Sequence, residues 1–438
     1  MAAEKTIWKK LIWTWKPESE FEAGDSIVRN LLLHWFPSKI TFRSLSYRYS
    51  FWLGTASAIL FGILTVTGVV LMFLYVPSVE RAYASIKDIE FAVAFGWFLR
   101  GLHRIGAHLM VAVVFLHAVR VFLTGGYKNG VAANQNRPLN WIIGVVLLLS
   151  TLLLSFTGYL LPWDQLAFWA ITVGTNIALA APVVGEQTRF LLLGGNTIAQ
   201  GALIRFYVLH CVFLPMLVLL LFAWHMWRIR KDGGLACADQ LALDQKQEKA
   251  PPIKSKTYSL LGIAGTRTVH VEAALVDEDR HATPASPSLT LRLLVVILAT
   301  VLLASLMTIV VEAPLEEPAN PAVTSNPAKA PWYFLWLQEL VADTTVRVGG
   351  LTLNGALVGG IIVPGILVGL LLVWPYLDRS SVRSAGIWFG SDRWRQNIVF
   401  LIIVLAILIL TIVGTYMRGP YWGLYWPWET WPDLPRKF

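Results

Sequence analysis

Apolar and polar positions alternate along this chain on a long scale. Seven apolar runs, near 51–75, 98–122, 141–161, 202–227, 290–312, 353–375 and 397–416, each approach the roughly twenty residues that carry a helix across the hydrocarbon of a bilayer. A helix satisfies its own backbone in lipid, so this pattern predicts an all-α polytopic membrane protein. Residues 1–50 mix Trp, Leu and Lys and read as helices lying in the cytoplasmic interface. Spans one to four make a block over 51–230. The polar stretch 231–289 reads as a cytoplasmic linker, three further spans occupy 290–416, and the Trp- and Tyr-rich tail 417–438 suits the opposite interface.

Composition agrees, with 56% hydrophobic and 14% charged residues. A net charge of +9 could suggest nucleic acid, but its distribution favours topology and no nucleic-acid partner is expected. Of the 36 Lys and Arg, 24 fall in the intervals on one side of the seven spans, 8 on the other and 4 within spans. The positive-inside rule then puts the N-terminus in the cytoplasm, with the chain in a bacterial inner membrane. No cleavable signal peptide is apparent. Two cysteines, Cys211 and Cys237, are too few for a disulfide framework or a four-cysteine cluster, and no Cys-x-x-Cys-His occurs.

The second span, FLRGLHRIGAHLMVAVVFLHAVRVF, is unusual for lipid because it carries Arg100, Arg104, Arg120, His103, His108 and His117. Ionisable residues at that depth mark function. His103 and His117 are fourteen residues apart, about 40° short of four turns, so they share a helix face roughly 21 Å apart. In span four His210 and His225 are fifteen apart and share a face within about 60°. Two antiparallel helices bearing such pairs can clamp two stacked groups, His103 with His210 and His117 with His225. Neutral imidazole is an axial ligand of haem iron. A lone buried histidine is more often a satisfied polar group, and His108, 140° round from His103, is read that way. The glycine pairs Gly54/Gly68 and Gly144/Gly158 repeat the fourteen-residue spacing and would let flat ligands approach the backbone. Arg100, Arg104, Arg120 and Arg205 are candidates to pair haem propionates. The expected architecture is a four-helix dihaem bundle plus three further transmembrane helices.

With these residues on the page, the chain resembles the cytochrome b/b6 family, the membrane core of quinol:cytochrome c and quinol:plastocyanin oxidoreductases. FTGYLLPWDQLAFWAITVGTNIALAAPVVGEQ is similar to that family's third span and following loop, and RFYVLHCVFLP with the fifteen-residue offset is nearer the b6 type. PLEEPANP (314–321) and APWYFLWLQEL (330–340) resemble the second half, which photosynthetic complexes carry on a separate subunit. The resemblance implies two haem b groups, a positive-side quinol oxidation site between Pro162, Trp163 and Pro331, Trp332, Tyr333, and a cytoplasmic quinone site. It also implies proton translocation, a Rieske iron–sulfur partner, a c-type cytochrome partner and a homodimer.

Departures from the family carry expectations of their own. Its Pro-Glu-Trp-Tyr motif reads Ala330, Pro331, Trp332, Tyr333, so the glutamate proposed to carry the quinol proton is missing. Asp164, Glu339 and Tyr333 are the candidate catalytic substitutes, Asp164 foremost. The b6 cysteine that fixes a third haem is replaced by Trp52, so no covalent third haem is expected. Arg230 matches a b6 arginine of the cytoplasmic quinone site, with Asp25 as its suggested acidic partner. A dihaem membrane anchor of a quinone-linked dehydrogenase is the alternative. A transporter would show no haem absorption.

Overall fold

The computed structural model describes residues 39–130, 135–237 and 282–432. Among them, seven helices are long and apolar enough to cross a membrane. They run Leu53–Leu74, Gly96–Leu123, Arg137–Tyr159, Gln200–Lys231, Pro287–Val310, Gly355–Leu377 and Ser391–Met417, numbered here as spans one to seven. The protein is therefore a predominantly helical, multi-pass membrane protein. The outward surface of the bundle is apolar, with Phe73, Leu298 and Val310 exposed. This is the arrangement expected where lipid, rather than water, is the solvent.

Span four has an irregularity with a sequence cause. Leu209–Phe213 forms a π-helical turn directly before Pro215. Proline has no N–H to return to the preceding turn, and the helix accommodates this by widening there. Span six repeats the device at Val358–Ile362 before Pro364.

Four shorter helices, Ala82–Phe91, Gln165–Leu179, Gly185–Leu193 and Trp332–Asp343, lie in the intervals between the predicted spans. They are too short to span lipid. They cap the end of the bundle that bears His103 and His210, where Ile89, Leu160, Trp163, Ile171, Leu203 and Phe206 form a buried cluster.

The two halves of the chain are stitched together at both ends. At the other end, Lys39–Thr41 pairs antiparallel with Ala282–Pro284. Leu45, Trp52, Ala285 and Leu289 pack beside that pairing, so residues 285–289 belong to the helix and not to a linker. Arg393 is fully buried and donates to the carbonyls of Phe122 and Ile387. Tyr127 donates to Asp378 at 2.7 Å, and Lys128 pairs with the same carboxylate at 3.4 Å. Burial alone would raise the Asp378 carboxyl, but hydrogen bonds from Ser380 and Tyr127 and the Lys128 charge hold it below the usual range.

Candidate functional site

The four histidines form two pairs at two levels of the bundle. His103 and His210 face each other with ring centres 6.1 Å apart and planes at 79°. A metal ion bonded to one nitrogen of each ring at about 2 Å would hold the ring centres roughly 6 Å apart. His117 and His225 line a second, smaller cavity at the opposite end. The extra residue in the fifteen-residue offset of span four is taken up by the π turn that contains His210. One widened turn returns the helix to the register of a fourteen-residue spacing, so the two pairs stack.

Each imidazole edge lies against one of the four glycines. A Cβ on Gly54 would meet His117 Cε1 at 3.1 Å, one on Gly68 would meet His103 Cε1 at 3.1 Å, and one on Gly144 would meet His225 Cε1 at 3.5 Å. At Gly158 the distance to His210 Cε1 would be 2.4 Å. The glycines admit the histidine ring itself, a closer role than making room for a flat ligand.

Two threonines that the sequence reading passed over set the ring tautomers. Thr67 donates its hydroxyl proton to Ile63 O and has Oγ1 2.9 Å from His103 Nδ1, so it accepts the ring N–H. Thr157 donates to Leu153 O and lies 3.3 Å from His210 Nδ1, which is also 3.1 Å from the Leu154 carbonyl. An Nδ1 that faces acceptors carries the proton, and Nε2 is then free to bind metal. The sequence signal was present: Thr-Gly stands at both 67–68 and 157–158.

The arginines separate by position around their helices. Arg120 is 4% exposed, its guanidinium stacks over Tyr49 at 4.7 Å, and its Nε and Nη2 have no partner among the described residues. A buried cation with free donors beside His117 fits an anionic group such as a propionate. Arg137 lines the same cavity. Arg104 lines the His103/His210 cavity. Arg100 lines it too but is committed elsewhere, donating to Glu90 at 2.5 Å and to the carbonyls of Ala313 and Pro314. Arg205 and Arg230 depart from the expectations placed on them, because both side chains are exposed and neither lines either of these two cavities. Each is five residues from a ligand histidine, about 140° round the helix. At the 117/225 cavity the buried ion pair is Arg228 with Asp232, and Asp232 lines the cavity. Asp25 lies outside the described residues.

The larger cavity, about 250 Å³, runs from His103 and His210 to Pro162, Pro331, Tyr333 and His108. Trp163 is buried behind it with a φ of 55°, a left-handed conformation that costs a non-glycine residue about 1–2 kcal/mol. Hydrogen bonds from Ala319 N to Trp163 O and from Gln165 N to Glu317 O hold that turn against 314–321.

The carboxylates offered as proton acceptors are already engaged. Asp164 caps the helix that follows it, accepting from Ala167 N at 2.8 Å and from Glu316 N at 3.3 Å. Glu339 has a side chain only 1% exposed and accepts from Arg418 Nε at 2.8 Å, Arg418 Nη2 at 2.5 Å and Trp422 Nε1 at 3.1 Å. Its place in this ion pair, and not at the cavity, corrects the catalytic expectation. Without the buried carboxylate Arg418 keeps only the exposed Asp343 carboxylate at 2.9 Å, which offsets part of the roughly 3 kcal/mol that breaking a buried pair costs. Glu339→Gln should therefore lower the thermal midpoint of the detergent-solubilised protein by several degrees. An unchanged midpoint would show that the pair does not hold this end together. Tyr333 lines the cavity, but burial pushes its phenol up to about 12, so it stays protonated.

Comparison with known proteins came out consistently. Residues 38–233 match the family model described as cytochrome b/b6/petB, and residues 318–426 match cytochrome b(C-terminal)/b6/petD. Cytochrome b6 from Porphyra purpurea is 42% identical over 181 residues, which cover 41% of this chain and 81% of that protein. Cytochrome b6 from Synechocystis sp. (strain ATCC 27184 / PCC 6803 / Kazusa) is 41% identical over 167 residues, covering 38% and 72%. A chain of a solved structure described as hyperthermophilic respiratory Complex III shares the fold, with a TM-score of 0.63, 24% identity and 84% of each chain covered.

Proposed function

Because the chain belongs to the cytochrome b/b6 family, we propose that it is the cytochrome b subunit of a quinol:cytochrome c oxidoreductase, with two bis-histidine haem b sites. The observation that carries this reading is the facing pair His103/His210, stacked over His117/His225, with each ring seated on a glycine. Haem b in the two sites would supply one-electron carriers linking the two ends of the bundle. His103 and His210 present Nε2 to one group, and His117 and His225 hold the other. Arg120, Arg137 and Arg104 would neutralise propionates.

The larger cavity is the quinol oxidation site in this reading. It is bounded by Pro162, Pro331 and Tyr333, with Trp163 and Trp332 flanking. The quinone site lies beside the haem of His117/His225 at the outer end of the second cavity, with the Arg228–Asp232 pair taking the roles expected of Arg230 and Asp25. The 314–321 segment holds the quinol pocket closed against the Pro162–Gln165 turn, and Asp164 works as the cap of that turn. The quinol electron that enters the high-potential branch needs a Rieske iron–sulfur partner and a c-type cytochrome to carry it, since the sequence has no motif for either. A homodimer in a bacterial inner membrane, N-terminus inside, with protons moved outward, completes the proposal.

The match over 318–426 favours this reading over a dihaem dehydrogenase anchor, which needs no such half. A redox titration of the purified complex tests it. Two b-type transitions with about two haems per chain, both reduced by added quinol, are expected. Absence of haem absorption, or of its reduction by quinol, would overturn it.

A further inference from the structure

His108 is the one imidazole of the larger cavity that the haem pairs do not use. It sits across from the site of the missing glutamate. Pro331 occupies that position and lines the same cavity, with no ionisable group to offer. The Trp332 indole Nε1 donates to His108 Nδ1 at 3.1 Å, and the Tyr333 ring lies edge-on with centres 5.6 Å apart. An indole N–H only donates, so Nδ1 must be the unprotonated nitrogen and Nε2 carries the hydrogen. Among the described residues Nε2 has no partner, and the ring lines the cavity. Around it stand Arg104 from its own helix, Trp332 and Tyr333 from the short helix after Pro331, and Tyr159 at the cavity wall. Both carboxylates considered for this place are tied up elsewhere, as shown above.

We propose that His108 is a quinol-binding residue, held by Trp332 as the Nε2–H tautomer so that it donates a hydrogen bond to a ring oxygen of a hydroquinone in the larger cavity. The inference rests on the quinol-oxidising reading. A donor at this point favours the oxygen most as it gains negative charge on losing its proton. As a fixed neutral donor His108 binds and orients the quinol oxygen; it is not the acceptor of the quinol proton.

Two variants of the assembled complex separate the donor from the ring. His108→Asn keeps an acceptor near the Trp332 N–H but cannot reach the outer position. His108→Gln places an amide N–H near where Nε2 stood. Loss of one hydrogen bond changes binding by up to about tenfold, so His108→Asn should raise the quinol KM by about that factor, while His108→Gln stays within about threefold of the parent. Haem content and both haem spectra should be unchanged in each. Equal KM values for the two variants, or a KM for His108→Asn within twofold of the parent, would overturn the proposal. Failure of the underlying reading looks different: the parent complex itself would then lack haem or quinol oxidation.

Discussion

Replacing His210 with leucine should cut the haem b content of the complex from two per chain to one. The histidine supplies a metal ligand that leucine cannot, and its partner His103 would be left facing an apolar side chain across 6.1 Å. Loss of a mere outer contact to a metal costs ten- to a hundredfold in affinity or activity. Loss of the ligand should therefore lower quinol oxidation by at least about a hundredfold. The signal that remains should be that of the His117/His225 site, since the second cavity shares no lining residue with the first. A pyridine haemochrome assay reports the haem count, low-temperature difference spectra identify the haem that remains, and a quinol-oxidation assay reports the rate. Two haems per chain in this variant would mean that His210 is not a ligand.

Substituting glycine 158 by alanine should be nearly as damaging, although it adds a single methyl group. The new Cβ would lie 2.4 Å from His210 Cε1 and 2.9 Å from both ring nitrogens, where carbon contacts settle at about 3.5–4.0 Å. The ring must move by an ångström or more, out of line with His103 and away from the Thr157 hydroxyl that fixes its tautomer. Haem at this site should be lost or its midpoint potential displaced. Gly144→Ala is the control, because its Cβ meets His225 Cε1 at 3.5 Å, an ordinary contact. That variant should keep two haems with unchanged spectra. Equal behaviour of the two variants would refute the packing account.

The seven spans and the histidine pairing were legible in the sequence because both are periodic. Lipid imposes long apolar runs, and a fourteen-residue spacing brings a helix face back to itself. The pairing in span four was only half visible, since the fifteen-residue offset makes sense once Pro215 is seen to widen the turn at His210. The short helices at 165–179 and 332–343 were not legible, as such lengths do not separate a helix from an apolar loop. Arg205 was read from its place at the bundle edge and Arg230 from the resemblance, and neither signal says which way a side chain points; both are exposed. The Glu316, Arg418 and Ala313 contacts that engage Asp164, Glu339 and Arg100 come from 79 to 213 residues away, beyond any local pattern.

Those distant partners bear on how the chain is held as one body. Arg100 grips the backbone at Ala313 and Pro314, and the Asp164 segment bridges to Pro318. Trp141 Nε1 reaches the Leu371 carbonyl at 2.6 Å, and Arg393 is buried against Phe122 O. Cohesion between the amino- and carboxy-terminal portions thus resides in the interface itself. A peptide bond severed anywhere between 238 and 281 would remove none of these contacts, so one polypeptide or two could build the same body.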